Sequence, residues 1–326
     1  MRPWASRPAA PPGGPPRSAR RERTAPDDRS TDHRRILLRP GRHRDRCRSR
    51  PRRRVRPPPR PRSARRRRDD LGVGLDGAAD GTTPADGVAA EIRAAGGRAV
   101  ASGHDVSSWD EAGRLVGLAV ETFGDLDVLV NNAGVLRDRT IARMTEAEWD
   151  SVIRVHLKGT FATAHHAADH WRGRHRERPG RAGRLINTTS VSGLFGNAGQ
   201  ANYSAAKAGI AAMTIVASLE LARYGVTANC VSPGAATRMT AALGGDRDPG
   251  DPSRSPGFPA AVVEWLASDR SDGVTGRVFL TSGKRLSVAQ GWEHGTPAAP
   301  SEDLAELDAT LRGLLAAARP NAGMRG

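Results

Sequence analysis

The stretch Arg184–Lys207, RLINTTSVSGLFGNAGQANYSAAK, decides how the rest of the chain is read. It opens on an apolar, β-prone pair (Leu185, Ile186) and passes through the hydroxyls of Thr188, Thr189 and Ser190. A loop punctuated by Gly193, Gly196 and Gly199 follows, and Tyr203-x-x-x-Lys207 then leads into a helical pattern. The stretch therefore reads as strand, loop and helix. Residues four apart lie one above the other on a helix face. An ammonium beside a phenol favours phenolate, so Lys207 is expected to lower the Tyr203 pKa from its ordinary value of about 10 toward the working range of a general acid/base. Ser190, at the strand end, can return across the loop to meet the tyrosine hydroxyl, with Ser192 in reserve if the loop shifts register. On spacing alone such a Tyr–Lys pair is more often a surface tyrosine beside a solvated lysine.

The pair does not stand alone. Upstream, the apolar run Val128–Val130 delivers Asn131-Asn132-Ala133-Gly134. Together these residues resemble the short-chain dehydrogenase/reductase family, which carries N-N-A-G after a strand and S-(x12)-Y-x-x-x-K for catalysis. The resemblance covers about residues 69–295. It implies interconversion of a secondary alcohol and a ketone by hydride transfer with a nicotinamide cofactor. In that reading Tyr203 is the acid/base, Lys207 tunes it and anchors the cofactor ribose, and Ser190 orients the carbonyl oxygen. Asn131, Ala133, Gly134, Pro233, Gly234 and Thr237 line the cofactor. Thr237 stands four residues after Pro233, with Arg238-Met239-Thr240 after it, as in a hydroxyacyl-CoA subgroup of the family.

Bulk properties bound the alternatives. The net charge of +16 is not spread evenly, because residues 1–68 hold 25 Arg, no Lys and 5 acids, which leaves −4 for the remainder. Nothing in residues 69–326 reads as a nucleic-acid surface. Cys47 and Cys230 give neither a disulfide framework nor a metal spacing, so no metal is expected and a reducing cytoplasm is the default. No apolar run approaches the roughly 20 residues of a membrane span.

Residues 1–68 also carry 13 of the 23 prolines and show no periodicity, so they are expected to be disordered. Three readings stand: a basic arm attracted to polyanions, a targeting segment, or an out-of-frame translation of GC-rich DNA. The third gains weight from the sequence itself. The resemblance implies a first strand, a T-G-x-x-x-G-x-G turn and a helix cradling the cofactor pyrophosphate, and no such turn precedes Asp69. Gly72-Val73-Gly74-Leu75-Asp76-Gly77 matches G-x-G-x-x-G literally, but it follows Arg65–Arg68 and precedes no helix pattern, so it reads as a loop. Asp70 is more informative. A carboxylate at the end of a second strand would bond the adenosine ribose hydroxyls and repel a 2′-phosphate, which points to NAD over NADP.

From Thr83 onward helices and strands alternate, which implies an α/β fold, a doubly wound, Rossmann-like parallel sheet with its first strand–turn–helix missing or replaced. A helix is expected over residues 84–95 and a short strand over 98–102. Asp105-Val106 follows, where the family places an acid–aliphatic pair against the adenine. Ser108 should cap a helix running to Phe123, and Leu126–Val130 should be a buried strand. Thr145 and Glu148 form a capping box opening one long helix to about Arg174. In it, His156 occupies the position where the commonest family pattern has an asparagine of the proton relay. An imidazole could serve that relay, and a packed helical histidine is the equal alternative. Residues 172–184, basic and glycine-broken, read as a surface excursion.

The two long helices, about 147–172 and 202–224, imply by resemblance a homodimer or homotetramer. Residues 241–257 occupy the substrate-loop position and hold no acyl groove legible in sequence. After a last strand at Gly276–Leu280, Ser287–Gly295 again resembles the hydroxyacyl-CoA subgroup, and residues 296–326 form a tail with one short helix, Leu304–Leu315. The favoured substrate is a small molecule, a 3-hydroxyacyl or 3-oxoacyl thioester. The competing readings are a dehydrogenase inactive for want of its phosphate-binding turn, and a polyanion-binding protein using the basic arm.

Overall fold

A computed structural model of the chain describes residues 35–36, 84–234, 255–282 and 285–323. Asp70 and Thr237, the Gly72–Gly77 stretch and most of the 241–257 loop lie outside the described residues. Every described residue belongs to one unit, Asp32–Gly326.

The elements follow local signals closely. Helix α1 (Pro84–Ala94) precedes strand β2 (Ala101–Ser102), which pairs antiparallel with β1 (Arg35–Ile36). The strand expected over 98–102 is thus only its last two residues. Helix α2 (Trp109–Phe123) starts where Ser108 Oγ accepts from the Glu111 N–H, and it stops at Gly124, whose φ of +81° is the left-handed geometry that glycine adopts without strain. The Thr145–Glu148 capping box opens α3 (Glu146–Ile153). A π-helical turn, Arg154–Lys158, separates it from α4 (Gly159–Glu177), so the expected single helix is interrupted. Its widened geometry is common at functional sites.

Strands β3 (Val128–Asn131), β4 (Gly183–Thr188), β5 (Val226–Gly234), β6 (Val278–Ser282) and β7 (Arg285–Val288) form one sheet in that order. The first four run parallel, as expected of a doubly wound sheet. The last does not: β7 folds back antiparallel on β6, a hairpin that the sequence reading left out. Alternation within β4 assigns its residues to opposite faces. Leu185 packs with Leu129, Ala119 of α2 and Trp171 of α4, whereas Ile186 packs with Val231 and with Leu266 of α7 (Gly257–Leu266). Between them α5 (Val191–Phe195) and α6 (Ala201–Glu220) cover the middle of the sheet, where Ile210 and Ala211 meet Cys230 and Val278. Helix α8 (Leu304–Ala317) follows, with Leu304 and Leu315 exposed.

The basic stretch 172–184 differs most from its expectation. Arg174 and Arg184 are buried rather than solvated. Arg174 and Arg181 close on Asp125 and Asp127, the acids leading into β3, and His170 Nε2 lies 2.8 Å from Asp125 Oδ1. Arg184 pairs with Asp272. Burial raises the Asp125 carboxyl, but His170, Arg174, the Leu126 N–H and Arg181 more than offset this and hold it at about 2.

Candidate functional site

All four parallel strands end on the same side of the sheet, where open α/β folds bind their ligands. Their ends are stitched by buried side chains. Asn131 Nδ2 donates to Asn187 Oδ1 at 2.9 Å, and Asn187 Nδ2 donates to Thr214 Oγ1 at 2.8 Å. Thr163 Oγ1 of α4 donates to Asn131 Oδ1 at 2.7 Å. This ladder ties β3, β4, α4 and α6 together, so Asn131 is held from inside the fold and its backbone faces the strand ends. Asn187, Thr163 and Thr214 were not legible beforehand; only the polar Asn187 inside an otherwise apolar strand could have signalled them.

The loop after β4 brings the predicted groups together. Ser190 is the N-cap of α5, its Oγ accepting from the Ser192 N–H, and its side chain also hydrogen-bonds Tyr203 on the first turn of α6. Ser192 turns the other way: its Oγ donates to Gln200 Oε1 at 2.9 Å in the interior. Lys207, 3% exposed, lies one turn beyond Tyr203. Its Nζ donates to Thr188 O at 2.7 Å and sits 5.6 Å from the centre of the tyrosine ring. Glycine is required beneath this helix, because a Cβ on Gly193 would stand 2.6 Å from the Ala208 nitrogen and Lys207 Cβ.

The Tyr203 phenol departs from expectation. Burial pushes its pKa up from 10.0, the Ser190 hydrogen bond opposes that, and the charge of Asp138 adds to it. The Lys207 ammonium donates to the Thr188 carbonyl and lies over the tyrosine ring. Asp138 acts here as a group the sequence reading missed, and Gln200 binds it, Nε2 to Oδ2 at 2.8 Å.

His156 is buried at 2% exposure in the π-helical turn. Its Nε2 is 3.0 Å from the Val135 nitrogen and 2.8 Å from the Val135 oxygen, and its ring meets the Tyr203 ring edge-on at 5.2 Å. Gly134 abuts it directly. Ala133 and Gly134 are half-buried, as is Gly234 at the end of β5, while Pro233 is exposed. Asp105 is engaged locally, its carboxylate accepting from Ser107 N and Oγ at 2.8 and 2.9 Å. Val106 is fully buried under Gly159 of α4. Among the described residues no cluster of His, Cys, Asp and Glu could hold a metal ion, and no helix is long and apolar enough to cross a membrane.

Comparison with known proteins agrees with this arrangement. The sequence pattern of the short chain dehydrogenase family matches residues 75–248. The chain is 42% identical over 253 residues to the hydroxyacyl-CoA dehydrogenase ChsB1 of Mycobacterium tuberculosis, covering 74% of this chain and 79% of that one. It is 39% identical over 211 residues to a 3-oxoacyl-[acyl-carrier-protein] reductase of Synechocystis, covering 63% and 83%. The crystal structure of a short chain dehydrogenase from Mycobacterium avium superposes with a TM-score of 0.69 at 48% identity, over 78% of this chain and 86% of that one. With its parallel sheet and its Ser–Tyr–Lys cluster at the strand ends, the chain belongs to the short-chain dehydrogenase/reductase family of nicotinamide-dependent oxidoreductases.

Proposed function

We propose that this chain interconverts a 3-oxoacyl and a 3-hydroxyacyl thioester with NAD as its cofactor. The observation that carries the reading is the meeting of Ser190, Tyr203 and Lys207 at the C-terminal ends of parallel strands. The thioester rests on the names of the relatives, a hydroxyacyl-CoA dehydrogenase and a 3-oxoacyl-carrier-protein reductase.

The described residues fit the nicotinamide end of the cofactor. The Lys207 ammonium suits the ribose hydroxyls, and the turn at Asn131, Ala133 and Gly134 together with Pro233 and Gly234 suits the ring. For the adenosine end, Asp105 and Val106 are the described candidates and Asp70, which supports NAD over NADP, is not among the described residues. When bound, the nicotinamide supplies or accepts the hydride. The chain's own residues handle the proton: Tyr203 gives it to the carbonyl oxygen in reduction and takes it from the alcohol in oxidation, while Ser190 donates a hydrogen bond to the same oxygen. A phenol held above its ordinary pKa keeps its proton at neutral pH, the state that reduction needs.

The test is oxidation of NADH, and separately of NADPH, in the presence of acetoacetyl-CoA. Thioester-dependent turnover with NADH preferred is expected; turnover with NADPH alone would overturn the cofactor assignment, and none with either would overturn the substrate class. One sequence feature favours a second reading. No T-G-x-x-x-G-x-G occurs in the 326 residues, which suits a dehydrogenase fold that does not hold the dinucleotide. Titration with NADH separates the two, since that reading predicts no saturable binding.

Exposed apolar residues on α4 (Phe161) and α6 (Ile215, Val216, Leu219) support a homodimer or homotetramer. Light scattering would report a monomer if this is wrong. The buried free thiol of Cys230 suits a cytoplasmic, reducing setting.

A further inference from the structure

Helix α6 carries Tyr203 in its first turn, and it begins without the usual cap. Its N-cap residue, Gln200, makes no side-chain cap hydrogen bond; that side chain is turned to Ser192, Asn197 and Asp138 instead. The first bond inside the helix runs from the Ser204 N–H to Gln200 O at 2.7 Å, so the Tyr203 N–H before it needs a partner from elsewhere. Asn202 supplies that partner. Its Oδ1 accepts from the Tyr203 N–H at 2.7 Å.

The same amide reaches outward. Asn202 Nδ2 donates to Arg137 O at 2.9 Å and to Glu148 O at 3.1 Å, so both of its N–H groups are used. Only one orientation of the amide serves all three partners, because its oxygen faces a donor and its nitrogen faces two acceptors. The side chain is 0% exposed. Arg137 follows the Asn131–Gly134 turn closely in the chain, and Glu148 lies in the first turn of α3. Two further bonds close the same seam: Arg139 N–H to Gly199 O at 2.8 Å, and Gln200 Nε2 to Asp138 Oδ2 at 2.8 Å. Of these groups, Asn202 is the one that also holds the tyrosine backbone.

We propose that Asn202 is a positioning residue, which fixes the start of the Tyr203 helix against the segment that continues the Asn131–Gly134 turn. The consequence for chemistry rests on the proposed function: the turn lines the nicotinamide and the tyrosine hydroxyl meets the carbonyl oxygen, so Asn202 sets where the proton arrives relative to the hydride. Misplacement of reacting groups by about 1 Å costs on the order of 100-fold in rate. Asn202 itself, fully buried with its donors and acceptor engaged, takes no part in the proton transfer.

Two measurements test it. The first needs no turnover and follows amide hydrogen exchange by mass spectrometry in Asn202→Ala. Exchange should quicken about 10-fold or more in peptides covering 137–148 and in those covering 200–206, while a peptide over 125–131 keeps its wild-type rate. Quickening that is absent, confined to 200–206 or spread over the whole chain would overturn the tie between helix and segment.

The second uses NADH and acetoacetyl-CoA. Asn202→Ala should lose about 10- to 100-fold in kcat with KM changed little. Asn202→Asp, which also serves if the alanine variant does not fold, keeps the acceptor for the Tyr203 N–H but has no donor once ionised. Burial against two carbonyls raises the new carboxyl's pKa, and the protonated form can donate again, so the variant's stability is present at low pH and lost as pH rises. Its urea midpoint and its kcat, each relative to wild type, should both be higher at pH 5 than at pH 8, kcat by about threefold or more. Ratios that do not change with pH, or a kcat within about threefold of wild type in Asn202→Ala, would overturn the positioning role. Wild-type protein without acetoacetyl-CoA turnover would instead remove the proposed function, leaving hydrogen exchange and the urea midpoints to decide the tie.

Discussion

The two ends of the central strands hold two buried polar networks that differ in kind. At the C-terminal ends the groups are largely neutral: Asn131, Asn187, Thr163 and Thr214 bond one another and hold the backbone on which Ser190, Tyr203 and Lys207 stand. At the N-terminal ends the groups are charged: Asp125 and Asp127 are clasped by Arg174 and Arg181, with His170 completing the set. The neutral ladder leaves the local field to the reacting groups, whereas the charged clasp cancels itself internally. Burial of polar atoms therefore marks neither end as functional by itself. What distinguishes the reactive end is a phenol beside a serine and a lysine at the C-terminal ends of the parallel strands, where open α/β sheets bind ligands.

Chemistry and stability should separate between the two ends. The largest expected effect is on chemistry: Tyr203→Phe should lower acetoacetyl-CoA turnover by at least about 1,000-fold, the general-acid contribution, while the melting temperature and NADH affinity stay near wild type. The opposite pattern is expected of Asp125→Ala. Removing a carboxylate that is 2% exposed leaves the buried Arg174 only Asp127 of its two carboxylates, and chemical denaturation should show a loss of about 3 kcal/mol with kcat of the folded protein unchanged.

Acid should pick out the same end. A carboxyl held at about 2 against an ordinary 3.8 contributes stability that is complete above about 4 and lost as pH falls toward 2, worth about 2 kcal/mol in all. Stability measured between pH 5 and 2 should therefore fall less steeply in Asp125→Asn, which has already lost the contribution. The smallest effect sharpens the assignment within the reactive end. Ser192→Ala should cost about 1 kcal/mol of stability, the hydrogen bond to Gln200, with turnover kept, whereas Ser190→Ala should lose turnover. A loss of turnover on Ser192→Ala instead would reverse the choice between the two serines.

The reactive end was largely legible in sequence because its signals are local. Tyr203 and Lys207 are one helical turn apart, Ser190 caps the helix just before them, and the turn at Asn131–Gly134 follows its own strand directly. The caps at Ser108 and Thr145 were read correctly for the same reason. The opposite end was not legible. Asp125 and Arg174 lie 49 residues apart, and a basic, glycine-broken stretch gives no sign that two of its arginines point inward. The β6–β7 hairpin escaped because the alternation of strands and helices argued for parallel pairing throughout. The direction of the Tyr203 pKa shift escaped because spacing shows that Lys207 is near but not how far the fold buries the phenol.

Tyr203 holds the reacting proton beside Ser190 at the strand ends. The most direct measurement is the tyrosinate absorbance of the protein as pH is raised, for wild type and for Tyr203→Phe. The chain has just two tyrosines, so one substitution isolates the signal. The phase that Tyr203→Phe removes should have its midpoint above 10.0. A midpoint below that value would mean a phenolate already favoured in the free protein, and would contradict the account.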